Sequence, residues 1–448
     1  LRLLRKVFFW SVLVCLFAAM GWLFHQYSKR PDYKPSNKIV HIVKNNNQFT
    51  LIRNGQPFEI KGAAGSSNFQ ILSEIGGNTI RVYDTVNLKA VLDEAEKFNL
   101  AVIVDIPIPN YHKDYFNYQN KNLQNNLKES VKSLVNQYKN HPALLMWNLG
   151  NELHFPITPF ANEFNTTYKE LINIIKTEDP NHPLSVTTEG SRSKTLFLFF
   201  NFPEIDIYGF NTFGALHETE EKLKTLKPVY GKFPFFISEW GCNGPWEVSS
   251  NSWGATTEPF SSEKVNQLIR NYNFIKILNT GSSIGSLLFY WGHKHESTHT
   301  WFSMFDRENK PSHQIKTLEQ LWKDRATSNL LFNIQDITIN NHNSAENLVF
   351  KPTDTLNAQI NFTYLADSLN NNQLTFKWEL YPEIWHYRFR DYEKTAIKTQ
   401  LISTKKVTSS IEFRTLLREG PYRLFVNIYD SNNYFATANL SFYVLEKP

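Results

Sequence analysis

Between Phe49 and Lys323 the chain switches repeatedly between two hydrophobic rhythms. Short runs of β-branched and aromatic residues alternate with longer stretches whose apolar residues recur at helical spacing, an alternation that few folds can satisfy. The strand-like runs are Phe58–Ala63, Thr79–Tyr83, Ala101–Ile106, Ala143–Leu149, Leu184–Thr188, Ile205–Asn211, Phe235–Glu239 and Ile284–Trp291. Helical stretches between them include Leu88–Phe98, Leu127–Tyr138, Phe164–Lys176, Glu218–Leu226, Ser262–Ile277 and Ile315–Trp322. The first of these sets Leu88, Val91, Leu92 and Ala95 on one face. The fifth connection is irregular, with Ser193–Phe200 as its helix; Ser261 stands where the seventh helix needs a cap. Eight strand–helix units in roughly 275 residues predict an α/β fold, a (β/α)8 TIM barrel over residues 49–325. Chemistry is then expected at the C-terminal tips of the strands.

Both ends depart from this rhythm. Arg2, Arg5 and Lys6 form a short tail (1–6) before an uncharged apolar run, Val7–Phe24, and no small-x-small cleavage site follows. Residues 7–24 therefore read as a transmembrane signal anchor that holds the body outside the cytoplasm, in the periplasm or at the cell surface. Cleavage of the segment would release a secreted body. Residues 25–48, with Pro31 and Pro35, read as a linker. Beyond Trp322, residues 329–448 alternate with period two, as in Ala358–Tyr364, Thr408–Phe413 and Tyr422–Ile428. That predicts a small antiparallel β-sandwich of immunoglobulin-like scale, a spacer or packing partner for the barrel. In it Trp378 suits the core, while Trp385 is a candidate glycan contact and the Asn-rich patch 370–372 a loop. With 47 basic and 42 acidic residues the net charge of +5 is too mild for a nucleic-acid partner. Two cysteines, Cys15 and Cys242, exclude a disulfide framework.

At the tip of the fourth strand stands Met146-Trp147-Asn148-Leu149-Gly150-Asn151-Glu152, and at the tip of the seventh Phe236-Ile237-Ser238-Glu239-Trp240-Gly241. Retaining cleavage of a glycosidic bond needs two such carboxyls, one to donate a proton to the leaving oxygen and one to attack the anomeric carbon. Asn151 is suited to bond the sugar 2-hydroxyl. The pair makes a carbohydrate the expected substrate.

The Trp-Asn-Leu-Gly-Asn-Glu and Ser-Glu-Trp-Gly segments resemble the clan A glycoside hydrolases, in particular the barrel domain of glycoside hydrolase family 2. The resemblance implies Glu152 as acid/base, Glu239 as nucleophile, Arg81 beside the nucleophile, Trp291 as floor for the sugar ring, and no metal or organic cofactor. It also implies an Asn-x-Tyr after the sixth strand, whose hydroxyl supports the nucleophile; this chain has Asn211-Thr212-Phe213. Support for the nucleophile then falls to Tyr208, Tyr83 or Arg81. Ile80-Arg81-Val82-Tyr83 and Ser238-Glu239-Trp240-Gly241-Cys242-Asn243 are similar to segments of the fungal β-1,3-glucanosyltransferases. Three readings stay open: hydrolysis of a β-linked oligo- or polysaccharide, transglycosylation on a surface polysaccharide, and a glycan-binding barrel that has lost turnover.

Trp240, Trp246 and Trp253, with Trp301, offer flat faces for pyranose rings. His293, His295 and Glu296 follow the eighth strand and could reach sugar hydroxyls, and His154 follows Glu152. His295-Glu296-Ser297-Thr298-His299 spells the zincin pattern, but that chemistry needs a helix and these residues favour a loop.

Overall fold

The computed structural model describes residues 2–446 apart from 112–115, 158–161, 279–280, 326–331, 344–345, 365–373, 384–401, 407 and 416–417. Trp385 and the patch 370–372 lie outside the described residues. The chain opens with helix α1 (Arg2–Ser28) and a small antiparallel sheet of β1 (Val40–Asn45), β2 (Gln48–Arg53) and β3 (Gln56–Pro57). Eight parallel strands then close into a barrel: β4 (Ile60–Gly65), β5 (Thr79–Val82), β6 (Ala101–Ile106), β7 (Leu144–Asn151), β8 (Leu184–Thr188), β9 (Ile207–Asn211), β10 (Phe235–Trp240) and β11 (Ser283–Trp291). Helices α2 (Phe69–Glu74), α3 (Leu88–Lys97), α4 (Lys121–Tyr138), α5 (Glu163–Glu178), α6 (Arg192–Asn201), α7 (Thr219–Tyr230), α8 (Ser261–Leu278) and α9 (His313–Trp322) follow the strands in turn. The expected TIM barrel is present.

Local chemistry explains the segments. Strand β6 is buried along its whole length, as a parallel strand covered on both faces must be. Asn120, Asn162 and Ser191 cap α4, α5 and α6 by accepting from backbone amides of the first turn. Ser261 does not act as expected: it lies inside α8, and its hydroxyl accepts from the Thr437 amide at 2.7 Å.

Part of the expected linker is ordered structure. Asn46 and Asn47 adopt positive φ (46° and 63°), which turns β1 back on β2 as a tight hairpin. Its Val40, Ile42, Phe49 and Leu51 pack with Ile60, Ile103, Leu145, Ile207, Phe236 and Leu287, plugging the barrel end opposite the strand tips. Among the described residues no helix is long and apolar enough to cross a membrane. The expected anchor 7–24 falls within α1, where the side chains of 15, 16, 19, 22 and 23 lie outside the described residues.

After the barrel come β12 (Phe332–Ile339), β13 (Val349–Phe350), β14 (Thr355–Tyr364), β15 (Thr375–Pro382), β16 (Ile402–Lys406), β17 (Ser410–Arg414), β18 (Gly420–Tyr429) and β19 (Phe435–Val444). They form two sheets, β12-β14-β17 and β13-β19-β18-β15-β16, over one apolar core in which Trp378 is fully buried. This sandwich is bonded to the barrel through buried charge. Glu258 pairs with Lys264, accepts from Thr298 and Thr300 of the loop after β11, and accepts from Asn439 of the sandwich at 2.8 Å. Arg423 adds a 2.7 Å bond to the Thr256 carbonyl.

Candidate active site

The site is built by parity and by two bulges. Side chains alternate across a strand, so residues two apart share a face. On β5, Ile80 and Val82 pack outward against the helices, and Arg81 points into the barrel. Tyr83, two residues on, points the same way. On β7 and β10 the pairing slips, between Asn148 and Asn151 and between Ile237 and Glu239. Such bulges re-aim the residues that follow them. At the β7 tip Gly150 has φ +82°, and a Cβ there would meet the Leu153 side chain at 2.4 Å. Glu152 itself sits in the left-handed region (φ 51°), costly for a residue with a Cβ and typical of functional sites.

Arg81 ties the tips together. Its buried guanidinium donates to Asp105 through Nε (3.0 Å) and Nη2 (2.7 Å), and to Glu239 Oε1 through Nη1 (3.1 Å). Nη2 also reaches Asn151 Oδ1 (2.9 Å) and Thr187 Oγ1 (3.0 Å). Asn151 Oδ1 further accepts from Thr187 (2.9 Å) and from Asn211 Nδ2 (3.0 Å). Three donors on that oxygen fix the amide's orientation and leave the Asn151 NH2 as the end available to a ligand. Asn211 Nδ2 also donates to Glu152 Oε1 at 2.9 Å, and Ser238 anchors Asn211 Oδ1 at 2.7 Å. Glu152 and Glu239 are thus held in one hydrogen-bonded network, Glu239 buried and Glu152 partly open.

The electrostatics follow from burial. Removal from water pushes the Glu239 carboxyl up to about 8, with Arg81 and the Tyr83 hydroxyl opposing and the Glu152 charge adding to the rise. Asp105 is also raised by burial, against the pull of Arg81. Burial, with Arg307 nearby, lowers His293 and His295 to about 4, so both rings are neutral hydrogen-bonding groups at neutral pH.

Of the expected substrate contacts, Arg81, Asn151 and Asn211 lie in this network. Trp246 is about half exposed, edge-on to Phe213 at 5.6 Å, and remains an open aromatic face. His293 is partly exposed in the loop after β11, beside His299. Three expectations are corrected. Tyr208 is three residues from Asn211 and so on the opposite strand face, packed against Phe199 and Phe233. Trp240 follows Glu239 and turns outward onto Tyr272 of α8, fully buried. Trp291 is fully buried against Phe305, because the pairing of β11 slips between Phe289 and Trp291. Phe289 instead faces Tyr83 and Phe213, at 6.3 and 5.7 Å.

Trp301 is buried with its Nε1 on the Asn243 carbonyl, and Trp253 contacts Ser441 and Tyr443 of the sandwich. The His295–His299 segment is not helical, and among the described residues no cluster of His, Cys, Asp and Glu could hold a metal ion. Cys242 is a buried free thiol, pushed up to about 12 by burial. Asp105 and Phe289 were not anticipated. Asp105 is the penultimate residue of the third barrel strand, two beyond inward Ile103, and Phe289 lies two residues beyond inward Leu287.

Residues 69–322 match the family model described as "Glycosyl hydrolases family 2, TIM barrel domain". The β-glucuronidase of Paenibacillus borealis is 23% identical over 253 residues, covering 49% of this chain and 41% of that protein. The β-glucuronidase of Sus scrofa is 27% identical over 146 residues, covering 33% of this chain and 21% of that one. This chain therefore spans well under half the length of these relatives. Among solved structures, "Bacteroides uniformis beta-glucuronidase 2 covalently bound to cyclophellitol-6-carboxylate aziridine" shares the fold with a TM-score of 0.51 at 15% identity, covering 91% of this chain and 48% of that one.

Proposed function

This chain belongs to glycosyl hydrolase family 2, and on that premise we propose that it is a retaining β-glycoside hydrolase acting on a β-linked oligo- or polysaccharide. The observation that carries the reading is the single network in which Arg81 and Asn211 hold Glu239 and Glu152 together at the same end of the barrel. In the first step a Glu239 oxygen attacks the anomeric carbon while the Glu152 carboxyl gives its proton to the departing glycosidic oxygen. In the second step Glu152, now ionised, takes a proton from water, whose oxygen displaces Glu239 and restores the β configuration. The Asn151 NH2 is available to the 2-hydroxyl, where a bond strengthens as positive charge grows on the ring. Trp246 gives an apolar face to a neighbouring sugar.

The reading includes a tethered body outside the cytoplasm. The uncharged run 7–24 supports it, as do Val7, Phe8, Phe9, Trp10, Val14 and Phe17, which find no cover from the body. Fractionation with protease accessibility tests that part independently of catalysis.

The activity is tested with 4-nitrophenyl β-D-glycosides, including the glucuronide suggested by the β-glucuronidase relatives, with the first-formed anomer read by proton NMR. The expected result is turnover of at least one glycoside to the β-anomer, lost in Glu239→Gln. An α-anomeric product, or turnover that survives Glu239→Gln, would overturn it.

A further inference from the structure

The sixth barrel strand ends at Asn211 and is followed by Thr212 and Phe213, so the position two residues past Asn211 carries a phenyl ring with no hydroxyl for the nucleophile. The Phe213 ring is buried among Trp246, Phe289 and Phe302, all within 6 Å. Yet Glu239 has an O–H donor. The Tyr83 hydroxyl, at the end of the second strand, donates to Glu239 Oε1 at 2.9 Å, on the oxygen that also accepts from Arg81.

Tyr83 is held for this contact from several sides. Its ring stacks on Tyr290 at 6.4 Å and meets Phe289 edge-on, while the Arg81 guanidinium lies over its face at 4.7 Å. Parity makes the placement rigid, because Arg81 and Tyr83 share one strand face two residues apart. Burial and the neighbouring Glu239 charge keep the phenol protonated, so it acts as a donor at any working pH.

We propose that Tyr83 is the positioning residue of the nucleophile: its hydroxyl has taken over, from the second strand, the place that the sixth strand leaves vacant at Phe213. Two donors on Oε1 fix the rotamer of Glu239 and leave Oε2, which accepts no hydrogen bond among the described residues, as the attacking oxygen. The hydroxyl also stabilises the carboxylate over the acid, which a buried nucleophile needs most. Once the glycosyl–enzyme ester forms, Tyr83 is placed to steady the departing carboxylate in the second step.

This inference rests on Glu239 being the nucleophile, so its test has one arm that needs no turnover. The titration of Glu239 is followed by carbon-13 NMR of labelled glutamate, assigned with Glu239→Gln, in the full chain and in Tyr83→Phe. A lost hydrogen bond to a charged group should make Glu239 a roughly 10- to 100-fold weaker acid. An unchanged Glu239 midpoint in a folded Tyr83→Phe protein overturns the proposal, whether or not a substrate has been found. In the kinetic arm, on the nitrophenyl glycoside that turns over, kcat should fall about 10- to 100-fold with little change in KM, and the acid limb of kcat/KM should move to higher pH. A fall confined to KM overturns the positioning role. Adding Phe213→Tyr to Tyr83→Phe should return both the midpoint and kcat toward wild type. If it returns neither, the hydroxyl has not changed strands and that half of the proposal is withdrawn.

Discussion

Replacing Glu239 with Gln should abolish turnover and, above neutral pH, stabilise the fold. Burial raises this carboxyl from an ordinary 4.5 to about 8 even with Arg81 and Tyr83 beside it. The folded state therefore holds a proton that the unfolded chain has released, and linkage gives the sign: stability falls as pH rises from about 4.5 to about 8, then levels. At about 1.4 kcal/mol per pH unit, the full ionisation cost is at most about 5 kcal/mol. Glutamine never ionises, so the variant should match wild type near pH 4.5 and exceed it increasingly up to pH 8–9. For 448 residues, an unfolding entropy of roughly 2 cal/mol/K per residue converts that ceiling to a Tm gain of about 5 °C if the chain melts as one unit. Differential scanning calorimetry of both proteins at pH 4.5, 6, 7.5 and 9 reads it. A Tm difference that stays flat across this range, or reverses at pH 9, would mean that Arg81 and Tyr83 outweigh burial. The reasoning would then fail.

The same raised carboxyl predicts an acid limb of kcat/KM near pH 8 rather than near 4.5, measured as a pH–rate profile on an aryl glycoside. Glu152→Ala should spare the first step for 2,4-dinitrophenyl glycosides, whose leaving group needs no proton, and added azide should yield a β-glycosyl azide; a dead variant under those conditions reverses the two roles. Lys264→Met strips the buried Glu258 of its counter-charge and should cost about 3–5 kcal/mol at neutral pH, with most of it recovered by adding Glu258→Leu. Thermal unfolding of the two variants checks this. Sizing the products from β-linked oligosaccharides tests transfer against hydrolysis, since products longer than the substrate require a sugar hydroxyl as acceptor.

The barrel was legible because a parallel strand buried on both faces and a helix buried on one leave different periods in the sequence. Residue ranges erred mostly by one or two positions, and the fifth helix, read as Ser193–Phe200, spans Arg192–Asn201. What the periods did not convey was the hairpin of β1 and β2. Its Val40, Ile42, Phe49 and Leu51 make a short, half-polar alternation, and only the open barrel end explains why they are buried. The contact between barrel and sandwich was equally invisible. Glu258, Lys264, Arg423 and Asn439 read singly as solvated residues, and only their meeting shows why burial is tolerable.

Within the site, the placement of the two glutamates at strand ends was legible and the facing of Tyr208, Trp240 and Trp291 was not, and strand parity explains both outcomes. A motif at a strand tip names residues without saying which way each one faces. Counting in twos from Arg81 reaches Tyr83, and counting from Asn211 misses Tyr208; both inferences were available from spacing alone. Bulges defeat such counting. The slip between Ile237 and Glu239 brings Ser238 and Glu239 both onto the network around Arg81, and Trp240 is left to face α8. The slip after Phe289 likewise sends Trp291 into the outer packing and leaves Phe289 facing the cleft-side ring of Tyr83. A bulge leaves no compositional mark, since it is set by how two strands pair and not by either strand alone. The residues most exposed to misreading are therefore those just past such a slip, which is where Trp240 and Trp291 stand.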